Sequence, residues 1–295
     1  MLSILIPIYN YNAFALVQEL HEQGVRNALE FEIICLDDAS SECLFYNQAI
    51  AQLKHASYTL LPHNIGRSSI RNLLVSKAKY PWVLFLDCDT FPQRNDFVSE
   101  YVRWMNSSTE KAFFGGLLYS DQKPEDTAVL RWVFGTQREA LTVAQRQKNP
   151  YQSSLISNFA IQRSVFKTLN FDPKIETYGY EDYAFIQQLQ AHQIRIKQIQ
   201  NPVFHLNLET SKLFVSKTRT ALKTLLTLSK SSPLVADTKL LKTYKLLHAL
   251  RITGWVAVLF QKHKLRLESN LTSPKPSLLV FDLYKIGYFC YLNTQ

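Results

Sequence analysis

The chain has 295 residues, of which 46% are hydrophobic and 13% aromatic, and this composition excludes a disordered or fibrous protein. Its four cysteines show no paired metal-ligand spacing, which excludes a disulfide-rich or zinc-finger domain and indicates free thiols in a reducing compartment. The net charge of +9 comes from residues 211–295, where 14 Lys and Arg stand against three acids, and this asymmetry points to an anionic partner for that region.

Neither end of the chain predicts a membrane-crossing segment. The first residues, MLSILIPIYN, form a strand-like run without the basic start and long apolar stretch of a secretory signal. The longest apolar run near the carboxyl end, TGWVAVLF, is far shorter than the roughly 20 residues of a membrane span. We therefore expect a cytoplasmic protein.

The first 110 residues predict alternating strands and helices. Runs rich in β-branched and aromatic residues predict strands at residues 2–8, 32–36, 57–61 and 82–86, and helical spacing appears in the segments between them. This alternation predicts an α/β fold with a mostly parallel central sheet flanked by helices. In such sheets ligands bind at the carboxyl ends of the strands.

Each of these four strands is followed by polar or turn-forming residues. The segments are YNYN, DDAS, PHNIGR and DCDT, and one shared crevice would bring them together. Two carboxylates one residue apart, as in DCDT, repel each other unless a cation or polar ligand shares the site. The segment therefore predicts a metal or ligand site, and the alternative is a solvated turn.

The middle of the chain is less regular. Residues 112–119 (AFFGGLLY) predict one strand with a close backbone approach at its two glycines. Residues 129–150 predict a helix or a mobile loop, and residues 158–166 predict a strand that leads into a helix. A helix is expected after Gly179, and residues 194–206 predict a final alternating strand.

Beyond residue 208 the pattern is helical, with leucines and lysines on different helix faces, as in residues 239–247. Two interpretations stay open for this basic region. One is an amphipathic anchor on an anionic cytoplasmic membrane leaflet. The other is a helical subdomain packed on the rest of the protein with a solvated basic face. Nucleic-acid binding is not expected, because the region has no recognised motif or aromatic stacking platform.

Four ordered segments give the chain a specific resemblance. They are SILIPIYNYN, then EIICLDDASS, then HNIGRSSIRN with WVLFLDCDT soon after, and finally YGYEDYAF followed by PVFHL. With these segments the chain resembles the inverting, metal-dependent family 2 glycosyltransferases of the GT-A fold, over about residues 1–208. The resemblance implies a catalytic domain at 1–210, with a nucleotide-binding half (1–110) and an acceptor-binding half (111–210). The basic helical region then occupies residues 211–295.

The resemblance also implies a metal site that holds Mn²⁺ or Mg²⁺. Asp89 would be the principal ligand, Asp87 would contact the metal or the ribose, and His205 would complete the site. A histidine in a strand is often structural, so that alternative stays open for His205.

The implied nucleotide-binding residues follow the four strands. Arg71 matches an arginine that faces the diphosphate, Pro7 and Tyr9 match a wall around the base, and the carboxylates after the second strand match contacts to base and ribose. The full set is Pro7, Tyr9, Asn10, Asp37, Asp38, Asn64, Gly66, Arg71 and Asp87. Helix capping by the Asp37–Asp38 pair is the main alternative.

The general base is expected at the start of the helix after Gly179. An inverting transfer needs a carboxylate to take the proton from the attacking hydroxyl. By resemblance Asp182 is this base and Glu181 binds acceptor hydroxyls, with plain helix capping as the alternative.

The expected function is transfer of a single sugar from a nucleotide-sugar, with UDP as the expected nucleotide, to a glycan or lipid-linked saccharide. A single transfer is expected because no Gln-x-x-Arg-Trp follows the Glu-Asp pair. One alternative is a non-catalytic nucleotide-sugar-binding or scaffold protein of cell-surface polysaccharide assembly. Another, a nucleotidyltransferase, is disfavoured because YNYNAFAL lacks a glycine-rich basic loop. Peripheral attachment to the inner face of the cytoplasmic membrane stays open.

Overall fold

The structure is a computed structural model that describes residues 1–294, apart from the side chain of Pro233. The strands within these residues are β1 (Leu2–Ile8), β2 (Phe31–Asp37), β3 (Ala56–Leu60), β4 (Trp82–Leu86), β5 (Thr90–Pro92), β6 (Ala112–Phe114), β7 (Leu117–Leu118), β8 (Asn158–Gln162), β9 (Ile196–Gln198) and β10 (Val203–His205). The α-helices are α1 (Phe14–Arg26), α2 (Leu44–Gln48), α3 (Gly66–Lys77), α4 (Phe97–Ser107), α5 (Val129–Phe134), α6 (Val143–Lys148), α7 (Pro150–Ser153), α8 (Glu181–Ala191), α9 (Ser211–Ser231), α10 (Lys239–Ala249), α11 (Thr253–Leu271) and α12 (Leu278–Leu292).

A seven-stranded sheet with the order β3-β2-β1-β4-β8-β6-β9 forms the centre of the protein. Strands β1 to β4 are parallel, β8 is antiparallel to both of its neighbours, and β6 and β9 are parallel. The four strands predicted before residue 90 lie where the sequence placed them, to within one residue. The α/β fold with a mostly parallel sheet is thereby confirmed.

Two hydrophobic cores lie on opposite faces of this sheet because alternate strand residues point in opposite directions. Ile4 and Ile6 of β1 face a core shared with α1 and α4, whereas Leu5 faces the other side. That second core is closed by α3 and α8, whose apolar faces include Leu74 and Phe185. The amino-terminal ends of α3 and α8 are thus brought to the carboxyl ends of the strands.

The prediction of one strand over residues 112–119 is wrong. The segment divides into β6 in the large sheet and β7 in a separate three-stranded sheet, β5-β10-β7. Gly116 has a φ of +100°, and a Cβ on Gly115 would lie 2.3 Å from the carbonyl oxygen of Asn201. The close backbone approach predicted at the glycines is present, and it is what breaks the strand.

The prediction of one strand over residues 194–206 is also wrong, since β9 and β10 belong to different sheets. The chain turns at Asn201, which is fully buried and donates a hydrogen bond to the carbonyl oxygen of Phe97. As a result β10 pairs with β5, with His205 opposite Thr90. This pairing brings His205, from the second half of the chain, close to the residues that follow β4.

The helical region that begins at α9 shares a core with the preceding residues. Leu130 of α5 and Ala184 of α8 lie in one cluster with residues of α9 to α12, such as Leu225 and Phe281. The region is therefore packed on the rest of the protein. Residues 129–150, predicted as helix or loop, are largely helical. Among residues 1–294, no helix combines the length and the apolar character needed to cross a membrane.

Candidate active site

A cleft of about 520 Å³ opens at the carboxyl ends of β1 and β4. It lies where a sheet of this kind binds ligands. The lining contains residues from both halves of the chain and from α9: Pro7, Tyr9, Asp38, Asn64, Gly66, Arg67, Arg71, Asp87, Asp89, Arg131, Glu139, Ser157, Glu176, Tyr178, Asp182, His205, Glu209 and Lys217, among others.

Asp89 and His205 form a pair at the floor of the cleft. The β5–β10 pairing sets His205 Nε2 3.5 Å from Asp89 Oδ2, and the amide of Leu206 donates a 2.8 Å hydrogen bond to the Asp89 carbonyl. Burial raises the pKa of the Asp89 carboxyl, and the His205 charge opposes this shift. The sequence predicted both residues for one metal site, and the structure brings them together.

The donor set of this pair fits a divalent cation. A carboxylate suits Mn²⁺ or Mg²⁺, and the buried Nδ1 of His205 has no hydrogen-bond partner among the residues that the structure describes. The described residues contain no cluster of three or more His, Cys, Asp or Glu side chains closed around one point. Asp89 and His205 would thus leave positions open for oxygen atoms of a bound ligand.

Arg71 connects Asp87, one of the residues of the predicted metal site, to the predicted base, Asp182. Its guanidinium is only 2% exposed, lies 3.3 Å from Asp87 and donates a short hydrogen bond to Asp182. Glu181 is 3.7 Å from the same group. A charge buried this deeply needs such partners. Arg71 therefore fixes two carboxylates that lie 95 residues apart in the sequence.

The predicted base stands at the start of α8. Gly179, with a φ of +101°, and Tyr180, with a φ of +67°, turn the chain so that Glu181 and Asp182 begin the helix. Burial raises the pKa of the Asp182 carboxyl to about 6, and the Arg71 guanidinium opposes the rise. Asp182 lines the cleft and is ionised at neutral pH, as a base must be.

Glu181 is more enclosed than Asp182. It is 4% exposed, accepts a hydrogen bond from the Gly179 amide and lies 3.4 Å from Arg67. These contacts stabilise the turn before α8. Its predicted contact with acceptor hydroxyls stays a prediction.

Most of the predicted nucleotide-binding residues line the cleft. Asp38 holds the loop before α3, because its carboxylate accepts hydrogen bonds from the amides of Ile65 and Gly66 at 2.7 and 3.0 Å. Asn64 donates to the Asp38 carbonyl and accepts from the Gly66 amide. Tyr9 is 56% exposed beside this loop, so its ring is free to cover a ligand.

Asp37 and Asn10 are not among the residues that line the cleft. Asp37 is fully buried, and its two oxygens accept hydrogen bonds from the Ser40 amide and the Tyr58 hydroxyl. Asn10 has a φ of +48° and accepts from the Ser41 amide. Both side chains hold the loops beside the cleft, and direct contact with a nucleotide stays a prediction.

Sequence reasoning missed a network on the side of the cleft that residues 111–210 form. Arg131 donates two 3.0 Å hydrogen bonds to Glu139, which also accepts one from Tyr119, and the Tyr119 ring stacks on His205 at 5.4 Å. A π-helical turn, Gly135–Glu139, sets this arrangement, because it places Glu139 back against α5. Nothing in the residue spacing signals such a turn.

Sequence reasoning also missed the contribution of α9. Lys217 pairs with Glu209 and lies 5.5 Å above the Tyr178 ring, and all three residues line the cleft. The expected domain boundary near residue 210 assigned Lys217 to the basic helical region. No local sequence signal connects it to residue 178.

Comparisons with known proteins agree with the predicted resemblance. The family model described as "Glycosyl transferase family 2" matches residues 3–169. A protein of Haemophilus influenzae named "Uncharacterized glycosyltransferase" is 25% identical over 192 residues, which are 63% of this chain and 70% of that protein.

Solved structures with the same fold include several glycosyltransferases. A mannosyltransferase from Pyrobaculum calidifontis, in complex with GDP-Man and Mn²⁺, has a TM-score of 0.56 at 12% identity over 97% of this chain and 86% of its own. Glucosyl-3-phosphoglycerate synthase from Mycobacterium tuberculosis, in complex with Mn²⁺, UDP and glucosyl-3-phosphoglycerate, has a TM-score of 0.52 at 18% identity over 77% and 79%. Staphylococcus aureus TarS has a TM-score of 0.51 at 16% identity, and the match covers 76% of this chain but only 39% of that longer chain.

The family match extends over more than half of the chain and ends beyond the Asp87–Asp89 segment, and the fold is the GT-A fold of these neighbours. The chain belongs to glycosyl transferase family 2.

Proposed function

We propose that this chain transfers a single sugar from a nucleotide-sugar, with UDP as the expected nucleotide, to a glycan or lipid-linked saccharide with inversion. The observation that carries the proposal is the position of Asp182. Burial raises the pKa of this carboxylate to about 6, and the carboxylate lines the cleft and is joined through Arg71 to Asp87. The proposed base and the residues proposed to face the diphosphate therefore lie in the same cleft.

In the proposed reaction the acceptor hydroxyl oxygen attacks the anomeric carbon of the donor sugar. A new carbon–oxygen bond forms while the bond from that carbon to the diphosphate oxygen breaks, and the bonding electrons leave with the diphosphate. Asp182 takes the hydroxyl proton, which raises the nucleophilicity of the oxygen as it attacks. Attack from the side opposite the leaving group inverts the anomeric centre.

The donor is proposed to lie across the carboxyl ends of the first four strands. Tyr9 and Pro7 would cover the base, Asp38 and Asp87 would accept hydrogen bonds from base and ribose, and Arg71 would face the diphosphate. Asp89 and His205 would hold a divalent cation, whose positive charge would stabilise the departing diphosphate. The neighbours solved with UDP or GDP-Man together with Mn²⁺ support this assignment.

Calorimetric titration of UDP and of GDP, with and without Mn²⁺, tests the donor half of the proposal. We expect one nucleotide to bind only with Mn²⁺, and Asp89→Ala to abolish that binding. Asp96→Ala is the matched control, since Asp96 is an exposed carboxylate paired with Arg94 outside the cleft. If neither nucleotide binds in any condition, the donor site is refuted and a non-catalytic scaffold takes its place.

Asp182→Asn tests the catalytic half separately. We expect it to retain nucleotide binding and to lose on the order of 10²–10⁴-fold in UDP release from UDP-glucose or UDP-N-acetylglucosamine with water as the acceptor. A variant that releases UDP at the unchanged rate would show that Asp182 is not the base.

A further inference from the structure

The turn between α10 and α11 carries exposed apolar side chains that nothing in the described protein covers. We call residues 246–259 the hairpin tip. Its exposed apolar residues show between 38% and 74% of their surface: Leu246, Leu250, Ile252, Trp255, Val258 and Leu259. Single exposed leucines are ordinary, but six within 14 residues, including a tryptophan, indicate a binding surface.

On both α10 and α11, basic residues follow the exposed apolar residues on the same helix face, farther from the hairpin tip. On α11, Trp255, Leu259, Lys262 and Arg266 follow each other at steps of three or four residues and share one face. The opposite face holds Ala257 and Phe260, which are buried. Lys262 and Arg266 lie about 10 and 16 Å along the axis from Trp255, at 1.5 Å per residue.

The same order occurs on α10 in the reverse direction. Lys239, Lys242, Leu246 and Leu250 share one face, and Lys242 also lies 3.0 Å from Asp237. Apolar side chains therefore lie next to the turn on both helices, and the cations named on these two faces lie one to three turns away from it. One further cation, Arg251, lies in the turn itself and is exposed. Residues 238–267 contain seven Lys and Arg and no acid.

We propose that the hairpin tip docks on an anionic lipid surface. Apolar side chains and a tryptophan enter the boundary between headgroups and acyl chains, while long basic side chains reach the phosphates above them. A second copy of this chain is a less favourable partner for the hairpin tip. In such a dimer, residues 238–267 of the two copies, each with seven Lys and Arg and no acid, would face and repel each other. The proposal does not depend on the proposed sugar transfer.

Sedimentation of the full chain with vesicles tests this proposal. We expect binding to vesicles of phosphatidylglycerol mixed with phosphatidylcholine, little binding to phosphatidylcholine alone, and weakening by added salt. Trp255→Ser should lose most of the binding. Leu279→Ser is the matched control, since Leu279 is 70% exposed on α12, outside the hairpin tip, and should bind like the unchanged chain.

A double charge reversal tests whether the lipid attracts the cations of α11 or only the net positive charge of the whole protein. Lys262→Glu with Arg266→Glu should weaken binding by more than about 25-fold, at about fivefold per cation removed. The control, Lys54→Glu with Lys111→Glu, changes the net charge equally on exposed sites of the catalytic domain and should have little effect. The melting temperature of every variant, compared with that of the unchanged chain, reports that it is folded.

Three results would overturn the proposal. The first is equal binding to vesicles with and without phosphatidylglycerol. The second is an equal loss in Leu279→Ser and Trp255→Ser. The third is a dimer in sedimentation equilibrium that Trp255→Ser converts to monomer, because the hairpin tip would then be an interface between copies.

Discussion

Replacing Thr224 with valine tests whether α9 holds the loop that precedes the proposed base. The Thr224 hydroxyl donates a 3.0 Å hydrogen bond to the Tyr178 carbonyl and lies 2.7 Å from the Thr177 hydroxyl. Next to it, a Cβ on Gly179 would lie 2.5 Å from the Ala221 Cβ, so the loop lies directly on the helix. Asp182 lies three residues after Gly179 in the sequence.

The Thr224 hydroxyl also lies 3.2 Å from the Thr220 carbonyl oxygen within α9, which competes for its single proton. The expected magnitude follows from the two hydrogen bonds to residues 177 and 178 that valine removes. Each is worth about 1 kcal/mol, so the loss is about 2 kcal/mol. With an unfolding entropy of about 2.1 cal/mol/K per residue, this lowers the melting temperature by about 3 °C in a chain of 295 residues. If the whole loss falls on the position of the loop, kcat decreases by up to about 30-fold.

The assay compares kcat and melting temperature of Thr224→Val with those of Thr227→Val. The Thr227 hydroxyl is exposed and bonds only within α9, to the Lys223 carbonyl at 3.3 Å. We expect this control to retain kcat. If the two variants have the same kcat, or if Thr224→Val lowers only the melting temperature, then α9 stabilises the fold without positioning Asp182.

Three further predictions concern single residues in the cleft or next to it. Since Asp182 must be deprotonated and its pKa is about 6, kcat/KM should fall about tenfold for each pH unit below 6, and a profile that is flat to pH 5 would contradict the assignment. Gly135→Ala should cost about 1–3 kcal/mol in thermal unfolding because its Cβ would lie 2.2 Å from the Tyr119 ring, whereas Gly254→Ala, with nothing within 4 Å, should cost nothing. Asp37→Ala should lower the free energy of unfolding by about 1–3 kcal/mol, since both its oxygens accept hydrogen bonds inside the protein; an unchanged free energy of unfolding together with a loss of UDP affinity would instead make Asp37 a nucleotide contact.

The strands at residues 2–8 and 82–86 could be predicted because their side chains are apolar except for Ser3 and because polar turns follow them. Such runs are typical of strands buried on both faces of a parallel sheet. Once the sheet was predicted, the rule that ligands bind at the carboxyl strand ends placed Asp89 in a ligand site. Asp182, at the start of a helix, was assigned to the same site only through the resemblance to family 2 glycosyltransferases.

The second half of the chain was predicted less well because its geometry depends on distant contacts. Residues 112–119 read as one strand, but the contact between Gly115 and the Asn201 carbonyl divides them between two sheets. That contact joins residues 86 positions apart, and no local pattern encodes it. No local pattern predicts the position of Lys217 either. The helical pattern of α9 assigns it to the basic helical region, although it lines the cleft.

The charge of the cleft gives an independent argument for a cation in the proposed reaction. Its lining contains seven carboxylates and four Lys or Arg, a formal net charge of −3 in a protein whose total charge is +9. Glu139 and Glu209 neutralise Arg131 and Lys217. Arg71 is shared among three carboxylates, those of Asp87, Glu181 and Asp182. A nucleotide diphosphate is itself an anion, so these side chains alone would repel it more than they attract it. Only added positive charge next to the diphosphate reverses that balance, and Asp89 with His205 is where the described residues offer ligands for it. The acidity of the cleft therefore predicts that donor binding depends on a divalent cation.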